Sequence, residues 1–179
     1  MRRQVEFLAE IRAALPGVVI VGDSTQPVYA GNLFHAADRP AGWFNSATGY
    51  GTLGYALPAA IGAKLGAPER PVVCLAGDGG LQFSLGELGS AMDARTPIIV
   101  LVWNNRGYGE IKDYMQARGI TPEGVDLTTP DFCAIAGAYG LAAERLEEPS
   151  GLGGLLKAAA ARPIPTLIEI DAAIIMSGS

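Results

Sequence analysis

The chain has 179 residues, 49% hydrophobic and 17% charged, with a formal net charge of −5. That length forms about one domain, with enough buried surface to fold without disulfides or metal. The composition excludes intrinsic disorder, no basic patch stands out to bind nucleic acid, and the longest apolar run, 97–103, is far short of the ~20 residues of a membrane helix.

The predicted elements follow in chain order. Met1-Arg2-Arg3 leads into an amphipathic segment containing acids, with no continuous apolar stretch of the signal-peptide kind. Val5, Leu8, Ile11 and Leu15 have helical spacing, which predicts a helix over 5–15, ended by Pro16-Gly17. Residues 18–21 form a short β-branched strand, and 22–25 turn the chain. A short helix is expected over 28–34, a loop over 36–42 and a short strand over 43–45. Residues 49–54 are glycine-rich, and 55–65 form a buried helix. A strand over 71–75 runs into a turn over 76–80. Ser84 and Glu87 have capping-box spacing, so the next helix is expected over 84–92, capped by Ser84. Residues 97–103 are apolar throughout, the mark of a strand buried on both faces. A polar loop over 104–109 precedes a helix over 110–118. Further helices are expected over 130–139 and 152–161, a short strand near Leu141, and a last strand over 166–170.

Strands alternating with helices predict a three-layer α/β sandwich with a mostly parallel sheet. Ligands in such sheets sit outside the carboxyl ends of the strands. The turns 22–25, 77–80 and 104–109 each follow a predicted strand. They are therefore expected on one sheet edge, as a composite site.

Cys74 and Cys133 are the only cysteines and form no C-x-x-C pair, which fits a reduced, cytoplasmic setting with both thiols as small hydrophobes. His35 is the only histidine, and no metal-type cluster surrounds it. Gly49-Tyr50-Gly51-Thr52-Leu53-Gly54 matches G-x-G-x-x-G, and Asp78 follows at roughly the distance of a dinucleotide fold's ribose acid. An NAD or FMN site is thereby raised. It is opposed by residues 45–48, which are not a buried strand, and by Asp78 itself, which sits in a second glycine turn.

That second turn, Gly77-Asp78-Gly79-Gly80, carries more chemistry. Its glycines would let backbone N–H groups approach an anion, and the following helix adds a favourable dipole. An aspartate there repels phosphate unless a cation lies between, so the motif suggests Mg²⁺ bridging a carboxylate and a diphosphate. A tight turn with a solvated aspartate is the alternative. Asn104-Asn105-Arg106-Gly107-Tyr108-Gly109 follows the most buried strand. An asparagine oxygen suits Mg²⁺ or Ca²⁺, although asparagine also favours plain Asx turns at such places. Between Gly79 and Asn104 lie 24 residues, room for one helix and one strand. That crossover would return Asn105 beside Asp78.

Gly-Asp-Gly, 24 residues, then Asn-Asn resembles the thiamine diphosphate signature. Gly51-Thr52-Leu53-Gly54-Tyr55-Ala56-Leu57-Pro58-Ala59-Ala60-Ile61-Gly62 and the stretch 104–114 resemble the C-terminal cofactor domain of the acetolactate synthase and benzoylformate decarboxylase group. The resemblance covers about 5–170. It implies that Asp78 and Asn105 give side-chain oxygens to Mg²⁺, and Gly107 its carbonyl. It implies that Gly79 and Gly80 offer amides to the diphosphate, with Thr25, Gln26, Tyr108 and Gly109 in the same cofactor set. Gly51 would hydrogen-bond the aminopyrimidine through its carbonyl. Leu53 would wedge under the cofactor and hold it bent; otherwise it is an ordinary core leucine.

The implied chemistry is decarboxylation of a 2-oxo acid at the thiazolium carbon, with acetolactate synthase-type carboligation as the alternative and a non-catalytic α/β domain as another. Glu110, Ile111 and Tyr114 would face the substrate. Pyruvate decarboxylases carry a glutamate where Ile111 stands, and acetolactate synthases an apolar residue and a tryptophan where Glu110 and Tyr114 stand. A carboxylate at Glu110 suits a cationic substrate tail, as in decarboxylases acting on 5-guanidino-2-oxopentanoate, the 2-oxo acid of arginine; otherwise Glu110 points to solvent or caps the helix. Members of the group have three domains, and their activating glutamate lies on the N-terminal domain of a partner subunit. The chain is therefore expected to be a fragment lacking N-terminal domains, inactive alone, without a catalytic residue of its own, and to form a homodimer or tetramer.

Overall fold

The computed structural model describes residues 1–177. In chain order the elements are α1 (Arg2–Ala14), β1 (Val19–Gly22), α2 (Gln26–Phe34), β2 (Trp43–Asn45), α3 (Ala56–Gly66), β3 (Val72–Gly77), α4 (Asp78–Leu81), α5 (Glu87–Asp93) and β4 (Ile99–Asn104). They continue with α6 (Gly109–Ala117), α7 (Phe132–Ala138), β5 (Ala142–Arg145), α8 (Leu152–Ala160), β6 (Thr166–Asp171) and α9 (Ala172–Ser177). Among the described residues the strands form one six-stranded sheet in the order β2-β1-β3-β4-β6-β5. Every neighbouring pair is parallel, so the expected sandwich is found with a wholly parallel sheet.

Parallel strands need helical crossovers, and these cover both faces. Successive strand residues point to opposite layers. Ile20, Val73, Leu75, Leu101 and Ile168 meet Phe7, Leu8 and Ile11 of α1 and Leu152 and Leu156 of α8. Val19, Val21, Cys74, Val100 and Leu167 meet Leu57 of α3, Leu88 of α5 and Phe132 of α7. β4 is buried along its whole length, which is why it reads as an unbroken apolar run.

From β1 the chain steps outward to β2, then returns to β3 on the other side. The connections leaving β1 and β3 therefore diverge. A crevice opens between them at the carboxyl ends of the strands, the usual ligand position in an open parallel sheet.

Beyond shifts of a few residues at element ends, such as α2 beginning at Gln26, three differences from expectation matter. β3 runs on through Ala76 and Gly77, which are strand rather than turn. Ser84 is not a helix cap: the backbone is already helical from Asp78, continues through a 3-10 turn at Gln82–Ser84, and leads on through Leu85 and Gly86. A residue inside a helical run has no free first-turn N–H to cap, and Ser84 Oγ is buried without a hydrogen-bond partner. α9 was not expected. Its start is fixed by Asp171, whose Oδ1 accepts from Ala173 N at 2.9 Å.

Candidate active site

Four segments meet at the crevice: 24–29 after β1, 51–53 before α3, 77–80 at the end of β3, and 105–111 after β4. They line a cavity of about 190 Å³. Every residue expected to hold the cofactor is there: Thr25, Gln26, Gly51, Leu53, Asp78, Gly79, Gly80, Asn105, Tyr108 and Gly109, with Gly107 beside them. Glu110 and Ile111 line the mouth. Tyr114 is not in this lining; it lies exposed one turn further along α6, with the Arg118 guanidinium 4.3 Å over its ring.

Gly77 of β3 pairs with Trp103 of β4, so the residues just beyond them are brought side by side. Asn105 Oδ1 lies 2.8 Å from the Gly107 carbonyl oxygen and 3.0 Å from Asp78 Oδ1. Three acceptors so close repel one another. With the amide turned over, its NH2 donates to both, the better-paired arrangement without a metal; with Oδ1 facing them, a cation among the three oxygens would relieve the repulsion. The 2.8 and 3.0 Å separations are close to those of about 2.9 Å between neighbouring oxygens around Mg²⁺, so Asp78, Asn105 and the Gly107 carbonyl would suit that ion.

Asp78 is 1% exposed. Burial pushes its carboxyl above the ordinary aspartate value, against the opposing pull of the N–H groups of Asn105, Gly79, Asp78 itself and Gly107. A neighbouring cation would favour the charged form of such a group.

The 104–109 loop is fixed from outside. Asn104 Nδ2 donates to Glu169 Oε1 at 2.8 Å, and Arg106, at φ 60°, reaches Asp171 with its guanidinium at 2.6 Å. Tyr108 N donates to the Val125 carbonyl at 2.8 Å. Gly107 has φ 156°, and a Cβ there would run into the Val125 carbonyl, so only glycine serves. The glycines of the second turn are needed partly against the protein itself. A Cβ on Gly79 would meet the Tyr108 ring at 2.7 Å, and one on Gly80 would meet Asp23 Oδ2 at 3.0 Å.

Thr25 is buried and precedes the first turn of α2. Gln26 Oε1 accepts from Trp103 Nε1 at 3.2 Å, which ties the first loop to β4. Leu53 is only part-buried and lines the cavity, so it is not an ordinary core leucine. Ile111 of the lining, Tyr50 next to Gly51, and Phe83 in a groove shared with Gly79 and Tyr108 are exposed.

Three lining or supporting residues, Ser24, Tyr29 and Asp23, escaped the sequence reading; Ser24 lines the cavity with its Oγ buried and without a hydrogen-bond partner. Tyr29 lines the cavity, its hydroxyl pushed up by burial and by the charges of Glu110 and Asp23. Asp23 is 1% exposed behind the cavity wall. A separate group, Asp131, Cys133 and Glu169, could ligate a metal by its atom types. Arg145 already occupies it, at 2.5 Å from Asp131 and 3.2 Å from Glu169.

The family model described as the thiamine pyrophosphate enzyme C-terminal TPP binding domain matches residues 16–170. The chain belongs to this family. Thiamine pyrophosphate, that is thiamine diphosphate, is accordingly its cofactor, and an NAD or FMN site is set aside. Over 166 residues the thiamine diphosphate domain is 44% identical to the probable 2-ketoarginine decarboxylase AruI of Pseudomonas aeruginosa, covering 92% of this chain and 30% of that protein. It is 37% identical over 129 residues to the acetolactate synthase isozyme 3 large subunit of Escherichia coli, covering 71% of this chain and 22% of that one. Among solved structures, the thiamine diphosphate-dependent 4-hydroxybenzoylformate decarboxylase of Rhodococcus jostii RHA1 superposes with a TM-score of 0.84 at 29% identity, over 94% of this chain and 32% of that one. The chain thus spans less than a third of the length of these relatives. Among the described residues no helix is long and apolar enough to cross a membrane.

Proposed function

We propose that this chain is the cofactor-binding domain of a Mg²⁺- and thiamine diphosphate-dependent 2-oxo acid decarboxylase that acts on 5-guanidino-2-oxopentanoate. The observation that carries the metal and cofactor assignment is the oxygen triad. Asp78, Asn105 and the Gly107 carbonyl would hold Mg²⁺, and the ion would offset the charge between Asp78 and the diphosphate. The backbone of Gly79 and Gly80, with Thr25, Gln26, Tyr108 and Gly109, would surround the diphosphate. Gly51 would accept a hydrogen bond from the aminopyrimidine at its carbonyl, and Leu53 would support the bent cofactor from below. When bound, thiamine diphosphate supplies the nucleophilic thiazolium carbon and the electron sink for decarboxylation.

The substrate assignment is supported by Glu110 at the cavity mouth and by the 44% identity to a protein named for 2-ketoarginine decarboxylation. Glu110 would pair with the guanidinium tail, and Ile111 and Tyr114 would lie along the same approach. Carboligation of the acetolactate synthase kind is the second reading, favoured by the 37% identity to such an enzyme.

We also propose that the domain acts within a longer cytoplasmic enzyme. Further domains, one of them from a partner subunit, would bring the carboxylate that activates the cofactor. The greater length of the relatives and the exposed Tyr50, Phe83 and Ile111 support this. Self-association into a dimer or tetramer would cover those side chains. The test is to assay the complete enzyme on 5-guanidino-2-oxopentanoate and on pyruvate. Aldehyde and CO₂ from the first support the decarboxylase. Acetolactate from the second, with no turnover of the first, supports the carboligase.

A further inference from the structure

Asp23 has no part in the roles assigned so far, yet it is 1% exposed behind the wall of the cavity. Its Oδ2 accepts from Gly54 N at 2.7 Å, and its Oδ1 accepts from Ser24 N at 3.0 Å. Ser46 Oγ lies 3.4 Å from Asp23 Oδ1 and 2.7 Å from the Thr52 carbonyl oxygen, to which it donates. Gly51 N donates to the Ser46 carbonyl at 2.9 Å. The peptides on both sides of Leu53 are therefore tied, one to Asp23 and the other to Ser46.

The tied segment needs such support. Gly51 and Gly54 sit at φ 65° and 81°, so the chain turns sharply at both and forms no regular element between them. Asp23 is a firm mount, because its own N–H donates to the Leu75 carbonyl of β3 at 2.9 Å. Gly80 completes the arrangement from the other side. A Cβ there would lie 3.0 Å from Asp23 Oδ2 and 3.6 Å from Leu53 Cδ2, so the missing side chain admits both. A carboxylate suits this place because it offers acceptors only, and an asparagine would turn an NH2 toward at least one N–H. Burying it carries a desolvation penalty, and burial does push its carboxyl above the ordinary aspartate value.

We propose that Asp23 is a positioning residue that, together with Ser46, fixes the Leu53 side chain and the Gly51 carbonyl and so presets the ring-binding end of the cofactor site. This rests on the proposed roles of Gly51 and Leu53. The Asp78 end of the site would be left unchanged by its loss.

The experiment compares two probes on the full chain with Mg²⁺: thiamine diphosphate and inorganic diphosphate, both by calorimetry. Asp23→Ala should weaken thiamine diphosphate by about 10–100-fold, the usual effect of losing an outer support, and leave inorganic diphosphate within about twofold. Ser46→Ala should act in the same direction but less, and Asp23→Asn should fall between. Combined with Leu53→Ala, Asp23→Ala should add less than its own loss, because both act through the same side chain. Hydrogen exchange at the Gly54 amide should quicken in Asp23→Ala. If Asp23→Ala does not fold, Ser46→Ala and Asp23→Asn carry the same comparison. Equal loss of both probes, unchanged thiamine diphosphate affinity, or fully multiplicative loss with Leu53→Ala would each overturn the inference. Failure of the unsubstituted chain to bind thiamine diphosphate would strike the proposed function, and this inference would fall with it.

Discussion

Asp78 and Asn105 leave neighbouring parallel strands one register step apart, and the end of the Asn105 amide that faces Asp78 lies 3.0 Å from Asp78 Oδ1. The pairing of Gly77 with Trp103 sets this distance. One helical crossover separates the two residues in sequence, and the register of two strands joins them in space. A one-residue slip of β4 against β3 would carry Asn105 about 3.3 Å along the sheet and break the triad.

The Gly107 backbone is the least replaceable part of that triad. Gly107→Ala drives a Cβ into the Val125 carbonyl at φ 156°. The expected loss is about 1–3 kcal/mol, or roughly 2–12 °C in the thermal midpoint for a domain of this size. Gly137→Ala is the control, since a Cβ there meets nothing within 4 Å and the residue is helical. Differential scanning of the two variants should show a clear drop for the first and none for the second.

Asp23 should give the stability an unusual pH dependence. Its carboxyl is raised in the folded chain, chiefly by burial. The folded state then holds the proton more tightly than the unfolded state. Asp23 therefore costs stability once the pH exceeds its folded value, and that loss disappears as the pH falls toward the unfolded value, 3.8. Asp23→Asn does not titrate. The midpoint of the unsubstituted chain minus that of Asp23→Asn should be larger near pH 4 than at neutral pH. A difference that is flat or grows with pH would refute the assignment.

Much of the molecule is legible in the sequence because its signals are local or of fixed spacing. β4 announces itself by an apolar run, since both its faces are covered. Asp78 and Asn105 announce themselves by a spacing that one crossover fixes. Asp23 has no such signal. Its partners Ser46 and Gly54 lie 23 and 31 residues away, and no turn or period links them. Ser84 fails for the opposite reason: its local pattern is good, but the helix has already begun at Asp78 and leaves it nothing to cap. Tyr29 is hidden because only the folding of α2 against the crevice turns it toward Glu110.

Glu110 tests the substrate. In the complete enzyme, Glu110→Ala should lower kcat/KM for 5-guanidino-2-oxopentanoate and keep or raise it for apolar 2-oxo acids. A charge pair closed off from water discriminates by about 2–5 kcal/mol when one partner is lost. Glu110→Gln should behave like the alanine variant, since it keeps the shape without the charge. A ratio of the two kcat/KM values that stays within about threefold, less than ~0.7 kcal/mol, would remove Glu110 as the selector.

Calorimetric titration of thiamine diphosphate into the unsubstituted chain, with Mg²⁺ and then with EDTA, bears most directly on the oxygen triad. Binding is expected with Mg²⁺. Without it, Asp78 faces the diphosphate uncompensated, and affinity should fall by about 2–5 kcal/mol, roughly 30-fold to several thousandfold. Asp78→Ala should lose binding even with Mg²⁺ present. Equal affinity with and without the metal, or binding undiminished in Asp78→Ala, would contradict a site in which Asp78, Asn105 and the Gly107 carbonyl hold the ion.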